Sequence, residues 1–146
     1  MEPRYRELRL KQLERSLAHF EAAKQEVRPR GGWLRALREA LGLSLEAVGR
    51  SIGTGRQRVK AFENAEATDR ITLKSLRKVA EAMDCQLIYA LVPKSGSITN
   101  LYEERARNEA KKRVLAVEHS MALENQSAGN VQERINEETK RILKGR

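Results

Sequence analysis

Apolar residues along the chain recur mainly three and four positions apart, the spacing of helices that bury one side. Between Tyr5 and Gln25 the stripe is Leu10, Leu13, Leu17 and Phe20 among many charged residues. It predicts one amphipathic helix that must cover something. Arg28-Pro29-Arg30-Gly31-Gly32 ends that pattern, because proline and paired glycines oppose helical continuation. From Trp33 to Met83 short helical patterns alternate with Gly or Ser/Thr punctuation. Trp33, Leu34, Leu37 and Leu41 give a helix that stops at Gly42. Ser44 is a suitable N-cap for a second helix running to Ile52, which Gly53 ends. Gly55 to about Asn64 carries Val59 and Phe62, and Thr72 caps a helix with Leu73, Leu76, Val79 and Met83 on its inner side. Together these predict a compact bundle of four or five helices.

The period then changes. Cys85 to Val92 is apolar except for Gln86 and ends at Pro93, which predicts a short strand. Because no second convincing strand exists in the chain, pairing with the same strand of another copy implies a two-fold homodimer. The alternative is a buried extended segment packed on the bundle. Beyond the linker Lys94-Ser95-Gly96-Ser97, Thr99 to about Gln126 reads as a long charged helix with Leu101, Tyr102, Val114, Val117 and Met121 along one side. Ser127-Ala128-Gly129-Asn130 interrupts it, and Val131 to Leu143 is a last weak helix on Val131, Ile135 and Ile142. These breaks divide the 146 residues into an N-terminal helix and linker (1–30), a central bundle with its terminal strand (31–94) and a C-terminal helical extension (95–146).

Composition narrows the chemistry. Aromatics make up 4% and charged residues 34%, so the core is small and much of the chain is solvated helix surface. The single cysteine, Cys85, allows no internal disulfide, and His19 and His119 stand far apart, so neither a metal nor a cofactor is expected. The start Met1-Glu2-Pro3-Arg4 lacks a signal peptide's apolar stretch and no run is long enough to span a membrane, which predicts a cytoplasmic protein. No Ser-His-Asp arrangement or phosphate-cradling loop suggests an enzyme. A net charge of +9 favours a polyanionic partner, nucleic acid before a membrane surface.

The sequence from Leu45 to Phe62 has what two short crossing helices need. Val48, Ile52, Val59 and Phe62 fill the shared interior, Gly49 permits close contact and Gly53 a sharp turn. Those interior positions leave Arg56, Gln57, Lys60, Ala61 and Asn64 on the outer side of the second helix. Such a helix fits the B-DNA major groove, where Arg takes guanine O6 and N7 and Gln takes adenine N6 and N7. Arg50, Arg58 and Lys74 are candidate phosphate contacts by charge. The competing reading makes the cluster an ordinary solvated face of a protein-interaction bundle, but no acid interrupts it before Glu63.

Residues 32–92, with Glu63-Asn64-Ala65-Glu66 and the helix from Thr72, resemble the repressor-like, Cro-type helix-turn-helix family. The resemblance implies a helix-turn-helix bundle within a mainly α fold, to which the periodicity adds one short C-terminal β-strand, an N-terminal helix, and a long and a short C-terminal helix. It also implies double-stranded operator DNA as partner, with Arg56 and Gln57 at the start of the recognition helix and Lys60 and Ala61 one turn on. Leu45 stands where that family often has a phosphate-touching Gln, and Gly55 replaces its usual Ser/Thr cap.

Gly31-Gly32-Trp33-Leu34-Arg35, the segment from Leu73 to Pro93 and the segment from His119 to Gln126 are similar to a narrower helix-turn-helix group, mobile mystery protein A. Its members accompany a Fic-domain protein, a class that transfers AMP from ATP to protein hydroxyls. Inhibitors of such enzymes carry Ser/Thr, three residues, Glu, then Gly/Asn, and Ser120, Glu124 and Asn125 match this pattern. By that resemblance Glu124 pairs with an arginine that otherwise holds the ATP γ-phosphate, and the chain is an antitoxin as well as an autorepressor. Ser120 and Glu124 sit at i,i+4, so both project from one helix side. The residues by themselves fit equally a solvated Glu124 beside a neutral Ser120, and a plain dimeric regulator whose C-terminal helices serve dimerisation.

Overall fold

A computed structural model describes residues 2–123 and 130–145, with side-chain surroundings described for 2–120 and 130–145. Seven α-helices are described: α1 (Pro3–Ala18), α2 (Trp33–Ala40), α3 (Leu45–Ser51), α4 (Arg56–Ala67), α5 (Leu73–Ala82), α6 (Ile98–Leu123) and α7 (Val131–Gly145). A short 3₁₀ turn, Glu21–Gln25, follows α1. The chain divides into two compact units, one of Gln25–Tyr89 and one of Met1–Lys24 with Ala90–Arg146. The mainly helical fold expected from the periodicity is therefore what the chain adopts.

The central unit holds α2 to α5 around Leu34, Val48, Val59, Val79 and Met83, all buried. Ile52, Phe62, Leu37 and Leu76 pack against this cluster half-buried. Its helix starts are local chemistry. Ser44 Oγ accepts from the Ala47 N–H at 3.0 Å and Thr72 Oγ1 from the Ser75 N–H at 3.1 Å, as their N-cap positions predict. The helix expected to end near Asn64 continues to Ala67. Leu73, expected on the inner side of α5, is instead exposed; it is the first residue after the cap, before the helix turns its apolar side inward.

The crossing of α3 and α4 depends on the absence of one side chain. Ile52 and Thr54 both donate their N–H to the Gly49 carbonyl, at 3.1 and 2.8 Å, and the turn passes through Gly53 at φ +74°. A Cβ at Gly49 would lie 2.5 Å from the Thr54 carbonyl oxygen, inside van der Waals contact.

Cys85–Val92, expected as a strand, forms none, and among the described residues there is no strand. Residues 86–92 enter no backbone hydrogen bond of the kind a ladder requires. The physical reason is the lack of a partner: a strand satisfies its N–H and C=O groups on a neighbour, and the described residues offer no second one. Nor is the segment sunk into the bundle, since Ile88, Tyr89 and Leu91 are 65%, 62% and 87% exposed.

In the other unit α6 and α7 form an antiparallel pair around Ala106, Ala110, Val114, Ile135 and Ile142. The two alanines are fully buried and let the helices approach closely. Asn130 starts α7 by accepting from the Gln132 and Glu133 N–H groups through Oδ1, at 3.1 and 3.4 Å. The stripe foreseen for α6 holds at Val114, which is buried in the α6–α7 cluster, whereas Val117 is exposed. Helix α1 packs on α6, half-burying Leu10 and Leu17. Glu14 accepts from Ser97 Oγ, and from Thr99 Oγ1 at 2.8 Å, at the start of α6. These two hydroxyls hold its carboxyl below the ordinary 4.5.

The Gly49 contact yields a stability prediction. Gly49→Ala forces the Thr54 carbonyl to retreat and is expected to cost about 1–3 kcal/mol, read as a lower urea midpoint with unchanged helix content before the transition. An unchanged midpoint would mean that the turn relaxes freely.

Candidate nucleic-acid interface

Helix α4 is held at its C-terminal end by residues from outside it. The Arg28 guanidinium donates to the Glu66 carbonyl at 2.9 Å and to Asp69 Oδ1 at 2.7 Å, so a cation sits at the end where helix carbonyls lack partners. Glu66 in turn is buried and accepts from the Trp33 and Leu34 N–H groups, each at 2.8 Å. Its carboxylate thereby caps α2, whose own N-cap residue Gly32 has no side chain with which to do so. One turn earlier Glu63, also buried, pairs with Arg38 of α2 at 2.9 Å, and Arg38 Nη1 reaches the Leu43 carbonyl at 3.1 Å. Two buried carboxylates on one side of α4 thus fix α2 against it.

The opposite side of α4 carries no packing. Arg56, Gln57, Lys60, Ala61 and Asn64 are all exposed, while Val59 between them is 1% exposed and faces the core. Arg56 Nη1 lies 3.4 Å from Glu46 of α3, with both side chains half in solvent. Pairs so exposed are worth about 0–1 kcal/mol, so this one orients Arg56 without immobilising it. Arg58 lies over the Phe62 ring, 5.0 Å from its centroid, and is thereby held to its own helix. Arg50 at the end of α3 and Lys74 in the first turn of α5 are exposed.

Residues 34–89 match the helix-turn-helix family model. This segment is a helix-turn-helix domain. It coincides with the central unit, and α3 and α4 are its crossing pair. The match supports a DNA-binding regulator of transcription; such a domain is regulatory, not catalytic. Neither the curated proteins nor the solved structures compared with the chain include a match. No helix among the described residues is long and apolar enough to cross a membrane.

Ser120 lies exposed near the end of α6, its Oγ donating to the Ala116 carbonyl at 3.3 Å. Glu124 and Asn125 lie outside the described residues. Sequence periodicity found the outer side of the helix-turn-helix domain but missed what anchors it. Arg28, Arg38, Glu63 and Glu66 are distant in the chain from the groups they satisfy, and charged residues read from sequence default to solvent. The one available signal was that Glu63 and Glu66 share the core side of α4 with Val59 and Phe62 at helical spacing.

Arg38→Met alone would leave Glu63 buried without its cation and is expected to destabilise the domain by about 3–5 kcal/mol. Pairing it with Glu63→Leu should recover much of the loss, as measured by urea denaturation. Strictly additive losses would contradict a buried, coupled pair.

Proposed function

We propose that the protein is a dimeric, sequence-specific repressor that reads its operator with the outer side of α4. The carrying observation is the exposed row Arg56, Gln57, Lys60, Ala61 and Asn64 on a helix whose other side is anchored by Val59, Glu63 and Glu66. In this reading Arg56 and Gln57 make bidentate hydrogen bonds to base edges, and Lys60 and Ala61 contact the next step of the major groove. Arg50, Arg58 and Lys74 neutralise phosphates and set the register. Arg56 exchanges its loose pairing with Glu46 for a base, which costs little because the pair is solvated. Ile88, Tyr89 and Leu91 support dimerisation through Cys85–Val92: a second copy would supply the missing ladder and cover the exposed apolar side chains. Two-fold symmetry would match a palindromic operator, by expectation that of the chain's own operon.

The fuller reading makes the same protein an antitoxin of a Fic-domain AMP-transferase. It rests on the resemblance to mobile mystery protein A and on Ser120, Glu124 and Asn125. A carboxylate at Glu124 can engage a guanidinium through two hydrogen bonds, as a γ-phosphate would. Ser120 itself is exposed, so its side chain is accessible to a partner. The plain-regulator alternative, in which the C-terminal helices only dimerise, is weakened by α7, which already covers Val114 within one chain.

Footprinting of the upstream region at two salt concentrations is expected to find a protected site whose affinity falls steeply with salt. Arg56→Ala should lose about 1–3 kcal/mol of discrimination at one base pair, whereas Arg50→Ala should weaken all sequences alike. Equal binding to every sequence by wild type and both variants would end the base-reading assignment. Glu124→Gly should leave DNA binding intact and release a co-expressed cognate Fic enzyme to modify its targets; undiminished inhibition would remove Glu124 from the mechanism.

A further inference from the structure

The C-terminal helices mix acids and bases in sequence, but their folding separates them. Along the α6–α7 seam Arg113 pairs with Glu109 at 2.6 Å and with Glu138 at 3.0 Å, Arg134 with Glu118 at 2.8 Å, and Arg141 with Glu138 at 3.3 Å. The seam thus consumes three acids. Arg105, Arg107, Lys111 and Lys112, on α6 away from the buried Ala106, Ala110 and Val114, are exposed, and among the described residues none has an ion-pair partner. Glu103 and Glu104 border these cations at the N-terminal end, and Glu109, which pairs with Arg113, lies beside Arg105 and Lys112.

At 1.5 Å per residue the strip runs about 10 Å along the helix. Arg107 has Glu103 at i−4, whereas Lys111 has Arg107 at that spacing and gains no such support from its own helix. We infer that this strip is a second, sequence-independent DNA contact that grips phosphates outside the bases read by α4. The inference rests on the helix-turn-helix domain being a DNA reader. A duplex presents one charge per roughly 1.7 Å of axis, or about six over the strip's length. A lipid surface fits less well: an interfacial helix needs an apolar row beside its cations, and here Asn108 occupies the middle, with Leu115 exposed only at the C-terminal end.

The test uses the full-length protein and a mixed-sequence 40-base-pair duplex, so no operator need be known. Arg105→Gln/Lys112→Gln and Arg107→Gln/Lys111→Gln remove the strip in halves. Lys140→Gln/Lys144→Gln removes the same charge from exposed positions of α7 and controls for net charge. All are surface changes to good helix formers, and circular dichroism checks their folding. Each strip variant is expected to reduce the slope of log affinity against log salt by about one to two and to weaken binding several-fold, with the α7 control closer to wild type. Slopes equal to wild type, or equal losses in the α7 control, overturn the inference while leaving the α4 reading intact. Loss of binding to phosphatidylserine vesicles with unchanged DNA binding overturns it in favour of a membrane. If wild type binds no duplex, both readings fall together.

Discussion

The approach of the Thr54 carbonyl to the bare α-carbon of Gly49 is the constraint on which the crossing of α3 and α4 depends. It sets how closely the turn folds back on α3, and so the direction in which α4 leaves it. The two N–H groups donated to the Gly49 carbonyl close the same turn from the other side. With the direction fixed, Val48 and Val59 meet in the core, and the residues between the buried positions of α4 have nowhere to point but outward.

Polar chemistry completes what this contact begins. A short helix gains little from its own hydrogen bonds and must be held by its surroundings. Here Arg28 occupies the carbonyl end of α4, while Glu63 and Glu66 tie its inner side to α2. Each buried carboxylate is met by a cation or by backbone N–H groups, which is the condition for burying charge without a large penalty. The consequence is an asymmetric helix: one side uses its charges to fasten the domain, and the other leaves Gln57 and Lys60 uncommitted. Residues of the same chemical type therefore do opposite work one turn apart.

How legible this was in the sequence depended on the range of the interaction. Caps at Ser44 and Thr72, the glycine turn and the inward Val48 and Val59 act over a few residues, and local spacing reveals them. The segment from Cys85 to Val92 misled because β-propensity describes a preference that only a neighbouring strand can realise, and the described residues hold no such neighbour. On α6 the periodicity favoured large residues, yet its fully buried positions are Ala106 and Ala110, small residues on which helices can pack closely. The Arg38–Glu63 and Arg28–Glu66 contacts span 25 and 38 residues. Apart from the helical spacing that Glu63 and Glu66 share with Val59 and Phe62, nothing local distinguishes these side chains from solvated ones. The outer side of α4 was legible because it follows from the inner side by helical geometry alone.

The most direct measurement is an NMR titration of the isotope-labelled protein with its footprinted duplex, following backbone amides and the Gln57 side-chain amide. The account predicts that the largest shift changes cluster at Arg56, Gln57, Lys60, Ala61 and Asn64. Large changes centred on α2 or on the outer side of α5, with α4 undisturbed, would contradict it.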